Sequence, residues 1–283
     1  MNQFMLSPVE TIKANMKGQE ARSRMPLFRL ILLGIMAGAF IALGAAGSNV
    51  GMHNIANVGV ARLVAGSIFP VGLMMIVFIG GELFTGDCMM ITAFLEKKCR
   101  WYDVVRVLII VWFANLVGSV LIAALVYGSG QLGFSSGLLG AFTIKVGLAK
   151  ATISPVAGVT SGILCNIFVC GAVLLAGAAK SAAGKVFGIF FPIMVFVVSG
   201  YEHCVANMYY IPAAIFAAGN ADYVAIATEQ YGLSAEAIAD GLTWKNFFLT
   251  SSPWVTLGNI IGGMVVMGVI YFIAYKKDLL VED

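Results

Sequence analysis

Five ionisable side chains, Glu82, Asp87, Lys150, Glu202 and His203, fall within or beside long apolar runs of a 283-residue chain. Titratable groups in such surroundings are costly to desolvate, and where they persist they usually serve binding, transport or proton transfer. His203 is the sharpest of the five. Imidazole changes charge near neutral pH and can donate a hydrogen bond to a passing anion. Thr85 lies in the matching break in the first half of the chain and adds a hydroxyl donor. Donors without a fixed full charge suit an ion that must bind and then leave. Glu82 and Glu202 would repel an anion, and read instead as acceptors that hold interrupted backbone together. Lys150 precedes an apolar run and could concentrate anions at the mouth of a pore. Plainer readings stand beside these: a buried neutral histidine that satisfies freed backbone groups, or an interfacial lysine snorkelling to water. His53 is the only other histidine, and the five cysteines (Cys88, Cys99, Cys165, Cys170 and Cys204) have no CxxC or metal-like spacing. No nucleotide loop or convergent Ser/His/Asp set is evident. These residues speak against a membrane-embedded enzyme and imply neither a metal nor a cofactor.

The elements that must position these groups are membrane spans. The chain is 60% hydrophobic and 11% charged, with a mean hydropathy of +0.94, whereas a soluble domain carries about 25% charged residues. Crossing the hydrocarbon core takes about 20 apolar residues in a helix. Six segments qualify, at 27–47, 60–95, 104–128, 155–178, 186–217 and 253–275. The second and fifth are too long for one plain helix, and polar residues interrupt them at Gly80–Asp87 and Ser199–Cys204. Thirteen Lys and Arg fall on one side of these spans, five of them in the N-terminal arm, against Arg62, Lys145, Lys150 and Lys245 on the other. Basic residues favour the cytoplasm, so both termini are expected there, with the bilayer as the surrounding partner. The basic residues form no contiguous patch with interleaved aromatics, which excludes a nucleic-acid partner. No cleavable signal is expected, because the stretch before Leu27 is too long and polar. Ser7-Pro8-Val9-Glu10 reads as a capping box that opens a short surface helix ending near Gly18.

The two halves echo one another. Gly34-x-x-x-Gly38 in the first span has a counterpart in Gly158-x-x-x-Gly162, and Asn115-Leu-Val-Gly118 one in Asn259-Ile-Ile-Gly262. The break at Glu82 matches the break at Glu202. A three-span half enters and leaves on opposite sides, so the second copy is inverted. Such inverted repeats form a permeation site near the midplane from two broken helices. The expected fold is therefore an all-α polytopic membrane protein, with six transmembrane helices as two inverted three-helix repeats and broken second and fifth helices. Its expected divisions are a cytoplasmic arm (1–26), a six-span channel domain (27–275, with repeats at about 27–130 and 155–275) and a tail (276–283). Bulky apolar residues flank the breaks: Phe69, Leu73 and Phe84 near the first, Phe196 near the second.

With these motifs in view, the chain resembles the formate/nitrite transporter family over essentially its full length. The resemblance rests on Gly81-Glu82-Leu83-Phe84-Thr85-Gly86, Asn166 after Lys150, Gly258-Asn259-Ile260-Ile261-Gly262-Gly263 and, above all, Ser199-Gly200-Tyr201-Glu202-His203-Cys204-Val205-Ala206-Asn207-Met208. It implies an aquaporin-like fold assembled as a homopentamer, in a bacterial cytoplasmic membrane, with one pore per subunit. It implies that His203 is the central pore histidine, that Thr85 lies in the loop breaking the second span, and that Lys150 is a vestibule lysine. It further implies that Leu73, Phe84, Phe69 and Phe196 line two constrictions, with Asn166, Asn207 and Asn259 structural at the breaks. The substrates implied are small monovalent anions of weak acids, with overall similarity leaning toward the hydrosulfide branch and formate and nitrite as further candidates. Asp87 departs from relatives that carry Asn, Thr or Ser there, and a carboxylate at that mouth is expected to be paired. A neutral-solute channel for water or glycerol is the alternative on a similar scaffold, although the paired Asn-Pro-Ala boxes of aquaporins are absent.

Overall fold

A computed structural model describes residues 4–279. Six helices among them are long and apolar enough to cross a membrane. In chain order the elements are α1 (Pro8–Ser23), α2 (Leu27–Met52), α3 (Val58–Ile79), α4 (Phe84–Leu95), α5 (Trp101–Gly128), α6 (Leu138–Ala151), α7 (Pro155–Ala178), α8 (Ala182–Ser199), α9 (Cys204–Ala218), α10 (Ala221–Tyr231), α11 (Ala235–Gly241) and α12 (Trp244–Leu279). The expected six spans are present, and the second and fifth are broken, as α3/α4 and α8/α9. Residues 280–283 of the expected tail lie outside the described part.

Each break begins at a glycine that the geometry requires. Gly80 has φ 106°, and Gly200 has φ 72°, a region that side chains with a Cβ enter only at a cost. The chain then runs through Gly81–Leu83 or Tyr201–His203 before helix resumes at Phe84 or Cys204. Both half-helices α4 and α9 therefore start inside the protein, with their N-termini at the breaks.

Close helix crossings made by small residues fix the register of the repeat. Gly118 of α5 packs on the Ile35 carbonyl of α2, and Gly262 of α12 packs on the Ile163 carbonyl of α7, so a side chain at either glycine would push the pair apart. This corrects the expected alignment: Gly34 is equivalent to Gly162, one turn from the pairing that the two Gly-x-x-x-Gly motifs suggest. Sequence spacing cannot separate these choices, because α7 carries small residues at both positions. In this register Trp112 and Thr256 are equivalent, and Trp112 Nε1 donates to Thr256 Oγ1 at 3.2 Å. The contact between equivalent residues marks the pseudo-twofold axis.

The N-terminal capping box forms. Glu10 N–H donates to Ser7 Oγ at 3.3 Å, and Ser7 N–H donates to the Glu10 carboxylate at 2.6 Å. That backbone bond, first among its causes, holds the Glu10 carboxyl below the usual carboxylate range. The helix runs on past Gly18 to Ser23, longer than expected, because Ile12 and Met16 are buried against Met89, Cys170, Leu174, Met267 and Phe272. Tertiary packing overrides the weak stop signal of a single glycine. Helix α6, not anticipated from sequence, packs on α9 and carries Lys150 in its last turn.

Gly80→Ala tests the first break. The added methyl meets no atom within 4 Å, so the cost is conformational alone, about 1–3 kcal/mol. The expected result is a lower melting temperature in detergent micelles; unchanged melting would contradict the positive φ.

Candidate functional site

Two buried asparagines hold the breaks in the same way. Asn115 Nδ2 donates to the carbonyls of Gly34 (2.7 Å) and Glu82 (2.9 Å), while its Oδ1 accepts from Phe84 N–H (3.0 Å). Asn259 Nδ2 donates to the carbonyls of Gly162 (2.8 Å) and Glu202 (3.0 Å), while its Oδ1 accepts from Cys204 N–H (2.8 Å). Each side chain thereby satisfies groups that the break would strand at membrane depth. The side chains of Glu82 and Glu202 do not hold this backbone, contrary to the sequence expectation. They face cations instead, and the asparagines, whose paired donor and acceptor suit both kinds of backbone group, take the structural part.

Glu202 Oε1 accepts from Lys150 Nζ at 2.9 Å and its Oε2 from Asn207 Nδ2 at 2.7 Å, while its own N–H donates to Ser161 Oγ at 2.9 Å. Lys150 is thus an ion-paired residue against the break, with its ammonium 5.2 Å from the centre of the Tyr210 ring. Across the pseudo-twofold axis, Arg22 of α1 makes the equivalent contact. Its Nε lies 2.6 Å from Glu82 Oε2 and 3.2 Å from Asp87 Oδ1, so Asp87 is paired, as expected. Gln19 Nε2 donates to the Gly86 carbonyl at 3.3 Å, and Arg106 Nη2 donates to the Ser23 carbonyl at 2.8 Å. These bonds lock the N-terminal helix onto the first break. Arg22 is not distinguishable in sequence from its basic neighbours Lys17 and Arg24; only the packing of α1 singles it out.

Between the breaks sit His203 and Thr85, both buried. His203 caps α9: its Nδ1 accepts from Ala206 N–H at 3.1 Å. In the neutral ring the proton therefore sits on Nε2, which lies 3.0 Å from Thr85 Oγ1 and donates to it. The Thr85 hydroxyl hydrogen is left to point elsewhere. The Thr85 carbonyl accepts from Asn166 Nδ2 at 3.2 Å, and the same amide reaches the Asn259 carbonyl at 2.6 Å. Asn166 thus ties the second-half span to the first-half break and fixes the threonine.

A cavity of about 590 Å³ reaches down to the His203 ring from the face opposite α1. Arg62, Lys145, Lys150 and Glu202 line its walls, and Phe69, Phe196 and His203 are at its inner end. Phe69 and Phe196 meet edge to face at 5.5 Å, and Phe196 stacks on the His203 ring at 6.0 Å. With Lys150 paired to Glu202, the cations that sequence alone left unassigned, Arg62 and Lys145, supply the excess positive charge of the cavity. Leu73 and Phe84 are buried and do not line it. Among the described residues, no three His, Cys, Asp or Glu side chains could hold a metal ion.

The chain shares its sequence and its fold with known proteins. The family model described as formate/nitrite transporter matches residues 9–273. The chain is 36% identical to a probable formate transporter of Methanothermobacter thermautotrophicus, over 98% of this chain and 100% of that one. It is 33% identical to the formate channel FocA of Haemophilus influenzae, over 95% and 94%. Among solved structures, a pentameric formate channel with formate bound shares 32% identity and a TM-score of 0.77, covering 88% of this chain and 98% of that one. An ion channel of the FNT family shares 29% identity and a TM-score of 0.79, covering 94% and 98%.

Asn115→Asp and Asn259→Asp test the symmetry of the locks. Each keeps the accepted bond and loses both donated ones, leaving the buried carbonyl of Glu82 or Glu202 unpaired at about 1–3 kcal/mol. Similar large losses of thermal stability are expected for both. A variant within about 0.5 kcal/mol of the parent would show that its lock is dispensable.

Proposed function

The chain belongs to the formate/nitrite transporter family, and from that premise we propose that it is a channel for small monovalent anions of weak acids, hydrosulfide first, with formate and nitrite as further substrates. The observation that carries the reading is the His203–Thr85 pair, set where two half-helices begin, at the inner end of a cavity with excess positive charge. In this reading an anion enters past Arg62 and Lys145, whose field raises its local concentration. It sheds water at the Phe69–Phe196 contact and accepts a hydrogen bond from the Thr85 hydroxyl or from His203 Nε2–H. The partial positive charge of the α4 and α9 N-termini supports it there. It leaves past Leu73 and Phe84, the second apolar slit. None of these donors carries a full charge, so binding stays weak enough for release.

A proton lent by His203 would carry the ion across the apolar slits as a neutral acid, at lower desolvation cost. The ring can take a second proton only by releasing its cap on Ala206, so this relay is coupled to the start of α9. The face bearing α1 is proposed as cytoplasmic, with both termini on that side of a bacterial cytoplasmic membrane. Assembly as a homopentamer is proposed from the pentameric relative, and the division into arm (1–26), channel domain (27–275) and tail (276–283) goes with it.

The test is influx into liposomes of hydrosulfide, formate, nitrite, chloride and glycerol. Fast weak-acid anion flux with little glycerol entry is expected, and the fastest anion names the substrate; glycerol flux without anion flux would overturn the proposal. Thr85→Val removes a hydrogen bond to a charged group worth about 1.5–3 kcal/mol. Half-saturation should then need about ten-fold more anion or greater. His203→Asn keeps a helix-capping acceptor and removes the titrating ring. A weaker pH dependence with flux retained is expected from a relay, and an unchanged pH profile would sink it.

A further inference from the structure

The asparagine-held breaks place Glu82 opposite Glu202, and Asp87 opposite Asn207, five residues further on in each half. The second-half set balances its charges. Lys150 and Glu202 pair at 2.9 Å, and the neutral amide of Asn207 donates to the other carboxylate oxygen at 2.7 Å. The first-half set does not. Arg22 Nε alone faces both Glu82 and Asp87, at 2.6 and 3.2 Å. Asp87 is 1% exposed and Glu82 6%, and Asp87 Oδ2 is buried with no hydrogen-bond partner. Two carboxylates on one guanidinium leave one net negative charge in the interior, which is expensive without a further partner. Both carboxyl groups meet at the same Arg22 Nε, and Asp87 Oδ2 is left without a donor. A bond between them, the counterpart of the Asn207–Glu202 bond, needs a hydrogen on one of the acids.

We propose that Glu82 and Asp87 hold one exchangeable proton between them, making this cluster a proton-binding site beneath the N-terminal helix and two residues from Thr85. A protonated carboxyl at Asp87 reproduces the Asn207 arrangement: a neutral group that donates to the glutamate of the break while the cation pairs with it. The groups facing Asp87 are few. Arg22 comes from α1, Glu82 from the break, Cys170 from α7 and Cys88 from its own turn. Gln19 is held on the Gly86 carbonyl and is a neutral amide, and its own buried Oε1 lacks a donor. Asn115 of α5 and Asn166 of α7 are neutral and engaged with the backbone. Among the described residues, Arg22 is the cation that pairs with both acids. With the proton bound the cluster is neutral. Without it, a negative charge stands beside the loop that carries Thr85 and opposes an approaching anion.

The site is read by infrared difference spectroscopy of the full-length protein in lipid, which needs no transported ion and so stands apart from the substrate assignment. The wild type should show the carbonyl stretch of a protonated carboxyl near neutral pH, lost in Asp87→Asn and in Glu82→Gln. Formate influx from the α1 face is the second readout, since formate stays ionised through the neutral range. It should fall as pH on that face rises in the wild type, and fall less steeply in Asp87→Asn, any remaining slope being that of the His203 relay. Absence of the protonated-carboxyl signal in the wild type would overturn the proposal. So would its survival in both variants, or an unaltered pH profile in Asp87→Asn. Should Asp87→Asn fail to fold, the wild type and Glu82→Gln decide the question by the infrared signal alone.

Discussion

Two asparagine side chains carry the architecture. A helix broken at membrane depth strands carbonyls and N–H groups where no water can satisfy them. Asn115 and Asn259 each meet two such groups with one amide and anchor it on a carbonyl of the neighbouring intact helix. That exchange allows α4 and α9 to begin inside the protein, and everything at the centre depends on where those two helices begin. The backbone torsions at Gly80 and Gly200 turn the chain into the breaks, and the small residues of the α2–α5 and α7–α12 crossings bring each asparagine within reach.

On this symmetric frame the chemistry lies in what differs between the halves. Leu83 stands where the other half has His203, so only one ring is present to cap a half-helix and reach Thr85 across the axis. Leu33 supplies a backbone carbonyl to Glu82 N–H where Ser161 supplies a hydroxyl to Glu202 N–H. Arg22 comes from a helix outside the repeats, whereas Lys150 comes from α6, between them. Each half therefore presents a glutamate to a cation delivered from its own side of the molecule. The cation side chains secure the accessory helices α1 and α6 to the breaks as much as they shape any field.

Much of this was legible in the residues. Long apolar runs gave the six spans, and the length of the second and fifth, with their glycine and glutamate interruptions, marked the breaks. The repeated Asn-x-x-Gly located the locks without saying what they hold, because one amide in isolation gives no sign of its three partners. The alignment of the first-span glycines slipped by one turn, since small residues recur along α7 and only the crossing with α12 selects among them. Lys150 and Arg22 were visible as charges, but their pairing depends on the packing of α6 and α1, which local patterns do not encode. The ion pairs of Glu202 and Glu82 are hidden from local sequence for the same reason: their partners lie 52 and 60 residues away.

In the proposed function the anion passes within each subunit, between the two half-helix N-termini. The most direct measurement is an electron-microscopy or crystal structure of the protein in lipid with a heavy weak-acid anion, hydroselenide, as the probe. Anion density is expected within hydrogen-bonding distance of Thr85 Oγ1 and His203 Nε2. Density elsewhere, such as between subunits, with none at that pair would contradict it.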